Sequence, residues 1–248
     1  MSNPLLSIVI PAHNEERRLP RTLEQVFAFL EDQAYEAEVL VVENGSTDGT
    51  LSIARSFAAQ QPALRVIPVE ARGKGRAVRL GMLAAVGEYR FMCDADLSMP
   101  IEQVNRFLPP ALEDFDVALG SREVEGSRRY HEPLHRHLGG RFVNLIIRLL
   151  ILPSLQDTQC GFKCFRAAAA QDLFQHQTLD GWSFDIELLF IARKRGYRVR
   201  EIPVDWYYRS ESKVSAVRDA LGMVSDMLRI RRNWRSGVYD AHASRHQA

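Results

Sequence analysis

The chain has 248 residues, of which 46% are hydrophobic and 25% charged, and its formal net charge is +1. This length and composition fit one large α/β domain, or one domain with a modest appendage, and supply ample apolar side chains for a core. A general nucleic-acid-binding protein usually carries a large basic excess, so we expect no nucleic-acid partner.

The cysteines and the apolar segments indicate a cytoplasmic protein. Cys93, Cys160 and Cys164 are odd in number and form no C-x-x-C pair, which argues against a disulfide framework and a structural zinc site. We identify no signal peptide. The longest apolar stretch, Leu145–Leu155, is too short to span a bilayer.

Short apolar strands alternate with helical patterns in the first half of the chain, and the second half is less regular. The predicted elements, in chain order, are a strand at Leu6–Ile10, a helix at Leu19–Leu30, a strand at Val39–Val42, a helix at Thr50–Gln60, a strand at Leu64–Val69, a helix at Arg76–Ala85, a strand at Tyr89–Cys93, a helix starting near Pro100, a strand at Val117–Leu119, helices at Arg141–Leu152 and Phe184–Arg195, a strand at Tyr197–Ile202 and a helix at Lys213–Arg232. This alternation predicts a mainly parallel sheet covered by helices on both faces. We expect a single domain over residues 1–235 and a polar tail over residues 236–248.

Three polar loops follow the predicted strands. The first strand runs into Pro11–Glu15, the second into Glu43–Gly49 and the fourth into Asp94–Asp96. In a parallel sheet the three loops share one edge, where open α/β sheets bind ligands. The sequence therefore predicts a binding site there.

Asp94 and Asp96 are two carboxylates separated by one residue, directly after a hydrophobic strand. Such a pair can hold Mg²⁺ or Mn²⁺, which favour oxygen ligands and leave positions for phosphate oxygens. The metal then neutralises charge that builds on a departing diphosphate. A turn with a helix start is the structural alternative, since Ser98 and Pro100 favour one.

Two glycine-containing loops also admit two interpretations. Gly45–Gly49 forms a turn and a helix start, and Glu43 and Asn44 before it could hydrogen-bond a nucleotide base. Arg72–Arg76 lacks the P-loop spacing and could be a solvated turn. Its glycines and Lys74 could instead offer backbone donors and positive charge to a diphosphate.

Several motifs are informative in combination. They are Ser7–Glu16, Val41–Thr50, Asp94–Ser98, Arg72–Arg79, Asp157–Lys163 and Trp182–Leu188. The first three resemble the family-2 glycosyltransferases of the GT-A fold, a resemblance that covers the chain from Leu6 to about Trp234. The last three are most similar to polyprenyl- and dolichyl-phosphate sugar transferases of the glucosyl type.

The resemblance implies a nucleotide-binding part over about residues 1–120 and an acceptor-binding part over about 121–235. It implies that the nucleotide contacts Pro11, Glu15, Glu43 and Asp94, and that Asp96 holds the metal. Candidates along the same edge are Ala12, His13, Asn44, Lys74 and Ala95, and His13 could stack on the base.

For the acceptor phosphate, the resemblance implies binding by Arg122 and Arg136, whose planar guanidinium groups can pair two phosphate oxygens at once. Asp157 is the leading candidate for a catalytic base or an orienting group, followed by Asp185 and Glu187. Each of these three could instead be structural.

The expected reaction is inverting transfer of a sugar from a nucleotide diphosphate, with UDP-glucose favoured, to a lipid-carried phosphate. GDP-mannose is less favoured because Ser98 stands where mannosyl-type members often have Gln. An ionised phosphate needs little help from a base, so positioning and electrostatics could supply most of the acceleration. A soluble acceptor, a nucleotidyltransferase and a non-catalytic sugar-nucleotide-binding protein remain the alternatives.

Two amphipathic segments predict peripheral contact with the inner face of the cell membrane. The first has apolar residues on one helix face with Arg141 and Arg148 outside it, and the second is the last predicted helix with its arginines. The apolar residues of the first segment are Phe142, Leu145, Ile146, Leu149 and Leu150. Packing of both helices against the sheet is the alternative. The sequence predicts no particular oligomeric state.

Overall fold

The computed structural model of the protein describes residues 3–209 and 216–240, and the side chains of residues 134–138 and 216–221 lie outside that description. The strands are β1 (Leu6–Ala12), β2 (Ala37–Asn44), β3 (Leu64–Val69), β4 (Tyr89–Cys93), β5 (Val117–Ser121), β6 (Arg128–Tyr130), β7 (Phe162–Arg166), β8 (Val199–Pro203) and β9 (Asp205–Tyr207). The helices are α1 (Leu19–Glu31), α2 (Thr50–Ala58), α3 (Lys74–Ala84), α4 (Leu134–Leu150), α5 (Ala167–His176), α6 (Phe184–Lys194) and α7 (Ala216–Arg235), with a 3-10 helix at Ile101–Phe107.

The main sheet has seven strands in the order β3-β2-β1-β4-β7-β5-β8. β1 pairs in parallel with β2 and β4, β2 with β3, and β5 with β8. β7 runs antiparallel between β4 and β5. The prediction of a mainly parallel α/β sheet is therefore confirmed, with one reversed strand inside it. β6 and β9 form a separate parallel pair.

Each face of the sheet is covered by its own apolar layer. Val9, Val42 and Met92 face the layer formed with α3, α5 and α6. Their strand neighbours, such as Ile8 and Ile10, face the layer formed with α1 and the 3-10 helix. Because successive side chains point to opposite faces, a strand covered on both sides is apolar throughout. This explains the short apolar runs in the sequence.

The elements of the first half agree with the sequence prediction, whereas the second half differs in several places. β6, β7, β9 and α5 were not predicted, the helix expected near Pro100 is a 3-10 helix, and the helix expected from Arg141 already begins at Leu134. β7 has no clear apolar pattern because Lys163 lies within it. Lys163 is nevertheless buried, and its Nζ atom lies 2.7 Å from Asp185 Oδ1.

The core extends beyond the end of the predicted domain. After α7, a turn brings Tyr239 into the core, where its side chain is fully buried and its hydroxyl donates to Glu187 Oε1 at 2.7 Å. Tyr239 therefore packs with the domain, although it lies within the segment predicted as a polar tail. Residues 213–215 of the last predicted helix and residues 241–248 of the tail lie outside the described residues. Within the described ranges, no helix is both long and apolar enough to cross a membrane.

Candidate active site

The loops that follow β1 and β2 are joined by hydrogen bonds between backbone and side chains. The backbone N–H of Glu15 donates to Thr50 Oγ1 at 2.8 Å, and the Glu16 carboxylate accepts the N–H of Gly49 at 2.9 Å. Pro11 lies near the end of β1, just before the first loop. These contacts make the two loops one polar surface at the strand ends.

Several predicted nucleotide-binding residues lie side by side in this surface. Ala12 is in register with Glu43, and His13 Nδ1 donates to the Asn44 carbonyl oxygen at 2.8 Å. Asn44 Oδ1 accepts the backbone N–H of Gly73 at 3.0 Å. Glu43 and Asn44 are buried. The ends of β1 and β2 and the loop before α3 thus form a continuous wall.

The acidic pair lies at the end of β4, next to Lys74. Lys74 Nζ is 2.6 Å from Asp94 Oδ1, and Asp96 Oδ1 accepts the backbone N–H of Ser98 at 2.9 Å. Burial and the charge of Asp94 raise the pKa of Asp96. Burial alone would lower the pKa of Lys74, but Asp94, Asp185 and Asp96 raise it. Lys74 thus interacts with three carboxylates, those of Asp94, Asp96 and Asp185.

The acidic pair fits a divalent ion that is shared with a diphosphate. Among residues 3–209 and 216–240, no group of three His, Cys, Asp or Glu side chains could hold an ion by itself. Mg²⁺ is commonly held by one or two carboxylates together with substrate phosphates. The Ala95 carbonyl oxygen accepts the Thr22 hydroxyl at 2.6 Å, which fixes the turn between Asp94 and Asp96.

Gly161 brings the segment Asp157–Lys163 against the acidic pair. A Cβ atom at Gly161 would lie 1.9 Å from Asp94 Oδ2, far inside any contact distance. The backbone N–H of Asp94 also donates to the Gly161 carbonyl oxygen at 3.2 Å. Only a residue without a side chain allows the backbone to pass so close to this carboxylate.

The start of α3 uses its glycines for packing. The backbone N–H groups of Gly75 and Arg76 donate to the Asp180 carbonyl oxygen at 2.9 and 3.3 Å. A Cβ atom at Gly73 would lie 2.7 Å from that same oxygen. The backbone N–H groups of both glycines therefore already have protein partners, because Gly73 donates to Asn44 Oδ1 and Gly75 donates to the Asp180 carbonyl oxygen. Lys74 supplies the positive charge at this position.

Arg122 and Asp157 form a bidentate ion pair. Arg122 Nε lies 2.7 Å from Asp157 Oδ2 and Nη2 lies 2.9 Å from Oδ1, while the Arg122 backbone N–H donates to Oδ2 at 3.0 Å. Asp157 is fully buried. Burial alone would raise its pKa, but Arg122 and Lys163 hold it below its ordinary value. A carboxylate paired in this way is a poor proton acceptor.

Two residues that sequence reasoning did not assign support Arg122. The Arg122 and Arg129 guanidinium carbons lie 5.6 and 5.9 Å from the centre of the Trp206 ring. Arg129 Nε also donates to the Arg122 carbonyl oxygen at 3.2 Å. Arg128 and Arg129 are adjacent in the sequence, and this basic pair is a signal from which Arg129 could have been found. Arg136 lies in the first turn of α4, and its side chain is outside the described residues.

The remaining candidates for a base are both paired. Asp185 is buried with Lys163, and burial raises the Asp185 pKa, which the Lys163 charge offsets only in part. Glu187 is fully buried and accepts the backbone N–H groups of Thr178 and Leu179 at 3.0 and 2.9 Å. Glu187 thus has the structural role that was left open for it.

The fold and the site together define a class of protein. A mainly parallel sheet that carries an acidic pair and a lysine at its ligand-binding edge is the arrangement of a GT-A nucleotide-sugar transferase. Residues 7–174 match the family described as Glycosyl transferase family 2. The chain therefore belongs to glycosyl transferase family 2, and the protein is a glycosyltransferase.

Known proteins similar to this chain include two enzymes named dolichyl-phosphate beta-glucosyltransferase. The Drosophila melanogaster protein is 34% identical over 240 residues, which cover 91% of this chain and 74% of that protein. The Homo sapiens protein is 34% identical over 259 residues, covering 97% of this chain and 79% of the human protein.

Solved structures show the same fold at lower sequence identity. Glucosyl-3-phosphoglycerate synthase from Mycobacterium tuberculosis, solved with Mn²⁺, UDP and phosphoglyceric acid, has a TM-score of 0.62 at 18% identity, covering 92% of this chain and 77% of that one. A mannosyltransferase from Pyrobaculum calidifontis, solved with GDP-mannose and Mn²⁺, has a TM-score of 0.57 at 20% identity, covering 100% of this chain and 66% of that one.

Proposed function

We propose that the protein transfers glucose from UDP-glucose to a polyprenyl or dolichyl phosphate, with inversion at the anomeric carbon. The observation that carries the proposal is the presence of two separate cationic groups in the site, Lys74 beside the acidic pair and Arg122 on Asp157. Two such groups suit two substrates that each bring phosphate. The similarity to dolichyl-phosphate beta-glucosyltransferases supports this choice of donor and acceptor.

The donor would lie across the ends of β1, β2 and β4. Its nucleoside would contact the wall that contains Glu43 and Asn44, and its diphosphate would reach Lys74 and Asp96. A divalent ion at Asp96, for which Mg²⁺ and Mn²⁺ both fit, would supply Lewis-acid neutralisation of the departing diphosphate. The Lys74 ammonium adds a second positive charge at the same place.

The acceptor phosphate would bind to Arg122, with Arg136 as its second proposed ligand. Asp157 would then act as the orienting group and not as a base, because it holds Arg122 through two side-chain contacts and is fully buried. A guanidinium group fixed in one plane can still present its remaining N–H groups to phosphate oxygens. Trp206 limits the movement of the same side chain.

In the reaction step, an oxygen of the acceptor phosphate attacks the anomeric carbon from the face opposite the diphosphate. The new carbon–oxygen bond forms as the bond to the diphosphate breaks, and UDP leaves with the bonding electron pair. The second pKa of a phosphate monoester is about 6, so the nucleophile is ionised at neutral pH without a protein base. Positioning and charge stabilisation would provide the catalysis.

Helix α4 offers the surface through which the protein would meet a lipid acceptor. Phe142, Leu145 and Leu149 are exposed on it, while Ile146 and Leu150, which share the predicted stripe, pack against the core. The arginines of α4 at positions 141 and 148 are exposed beside the apolar residues. We propose that this surface, Phe142–Leu149, lies on the headgroups of an anionic membrane, the inner face of the cell membrane being the expected one.

The test is transfer of radiolabelled glucose by the purified full-length protein with Mn²⁺ or Mg²⁺. We expect label from UDP-glucose to become lipid-extractable with polyprenyl phosphate, and proton NMR to show a β linkage. GDP-mannose in place of UDP-glucose tests the donor, and phosphoglyceric acid in place of the lipid tests for a soluble acceptor. Preferential transfer from GDP-mannose, or to phosphoglyceric acid, would contradict the proposal.

A further inference from the structure

Trp182 lies beside the lysine of the acidic site, and its side chain is 48% exposed. The centre of its ring is 4.9 Å from Lys74 Nζ, and the same Nζ is 2.6 Å from Asp94 Oδ1. An exposed aromatic side chain is ordinary on a protein surface. What distinguishes Trp182 is its contact with the cation of the site.

The loop that carries Trp182 is fixed on both sides. Before it, the Asp180 carbonyl oxygen accepts the backbone N–H groups of Gly75 and Arg76, and the Asp180 carboxylate pairs with the Arg76 side chain. After it, Phe184 is fully buried at the start of α6. The position of the indole ring is therefore set by α3 and α6, although the ring itself lies at the solvent edge.

The Lys74 side chain is flexible, so its direction has to be set by its neighbours. Asp94 and Asp185 attract the ammonium group, and both would hold it against the protein. An aromatic face attracts a cation through its quadrupole but brings no neutralising charge. Such a face can therefore orient the Lys74 ammonium without adding a further counter-charge to that of Asp94.

We propose that Trp182 is a positioning residue that holds the ammonium group of Lys74 toward the diphosphate of the nucleotide-sugar donor. The inference rests on the proposed function only for that diphosphate, and it is independent of the sugar and of the acceptor. A cation–π contact at a partly exposed site corresponds to about a three- to tenfold change in affinity.

The test compares two substitutions of Trp182 in two backgrounds. Trp182→Phe keeps an aromatic face and Trp182→Leu removes it, and each is made with Lys74 intact and with Lys74→Met. Calorimetric titration with UDP in the presence of Mn²⁺ gives the affinity, and thermal unfolding checks that each variant is folded. We expect Trp182→Leu to weaken UDP binding about three- to tenfold and Trp182→Phe to retain most of the affinity.

In the Lys74→Met background, adding Trp182→Leu should not weaken UDP binding further, because the cation that the ring positions is already absent. In turnover, the KM for UDP-glucose should rise and the KM for the acceptor should stay the same.

Three results would overturn the inference. An equal loss of UDP affinity with and without Lys74 would mean that the ring contacts the ligand itself. A loss for UDP-glucose but not for UDP would place the sugar on the ring. If the wild-type protein binds UDP and Trp182→Leu binds it equally well, Trp182 has no positioning role and the proposed function is unaffected. Wild-type protein that binds neither nucleotide would count against both.

Discussion

The two sides of the binding site are held by different interactions. On the side of β1 and β2, hydrogen bonds between backbone and side chains join neighbouring loops, as between Glu15 and Thr50. On the side of β4, β7 and β5, ion pairs hold the site. They are Lys74 with Asp94, Lys163 with Asp185, and Arg122 with Asp157.

This difference indicates which side of the site is more sensitive to a single amino-acid substitution. A typical hydrogen bond contributes about 1 kcal/mol to stability, and losing one leaves the neighbouring contacts in place. Removing one partner of a buried ion pair costs about 3–5 kcal/mol, because the other charge stays buried without compensation. We therefore expect the ion-paired side to respond more strongly to substitution and to pH.

The largest expected effect comes from Asp96→Ala on the ion-paired side. Without this carboxylate the divalent ion would be lost from the diphosphate, so turnover should fall about a thousandfold, or roughly 4 kcal/mol. Because burial and Asp94 raise the pKa of Asp96, its ionised form does not stabilise the fold, and thermal unfolding should be unchanged or slightly higher. The measurements are initial rates with and without Mn²⁺ and a thermal melt. Full wild-type activity in excess chelator would contradict the metal role.

The second effect concerns stability and its pH dependence through Asp157→Asn. This substitution should lower the free energy of unfolding at pH 7 by about 3 kcal/mol, since Arg122 loses its counter-charge. The folded-state pKa of Asp157 is lowered, so its stabilisation is present above about pH 4 and is lost as pH falls through that pKa. Urea unfolding across pH 2–7 should show that the free energy of unfolding falls less at acid pH in the variant than in the wild type.

Asp114→Asn is the matched control for that substitution, because Asp114 pairs with Arg198 and Arg200 at the exposed surface. It should change stability by less than about 1 kcal/mol. Equal losses at positions 114 and 157 would mean that burial of the pair is not what matters.

A smaller effect is expected where β7 leads into the site. Gly161→Ala should displace the Asp94 carboxylate, because the added methyl group would lie 1.9 Å from Asp94 Oδ2. We expect kcat/KM to fall about tenfold or more, by analogy with other small displacements of catalytic groups. Gly222→Ala is the control, since nothing lies within 4 Å of a Cβ atom there. Similar kinetics for both variants would show that Asp94 adjusts without cost.

The smallest effect is expected at the proposed membrane surface. Replacing Phe142 and Leu149 by Ser should weaken sedimentation with anionic liposomes a few-fold and leave turnover of detergent-dispersed acceptor unchanged. The same double replacement at Leu80 and Val86, which are exposed elsewhere, is the control. Binding should weaken with salt. If the wild-type protein stays in the supernatant with every liposome, α4 has no such role.

The sequence by itself determined the parallel part of the sheet and the position of the acidic pair. Strands covered on both faces have apolar runs that can be recognised locally, and polar residues directly after them lie at the ligand-binding edge. The motifs that resemble family-2 glycosyltransferases lie in these local stretches, which is why the fold and the class of enzyme could be predicted from them.

Only the tertiary structure decided which partner each charged residue has. Asp157 and Arg122 are 35 residues apart in the sequence, and Asp180 and Arg76 are 104 residues apart. No local sequence pattern can predict which residues form such pairs. Lys163 made β7 unrecognisable as a buried strand, because a lysine inside a core is stable only with a partner that its own neighbours in the sequence do not provide. The reversed strand supplies that partner by placing Lys163 beside Asp185, and it brings Gly161 against Asp94.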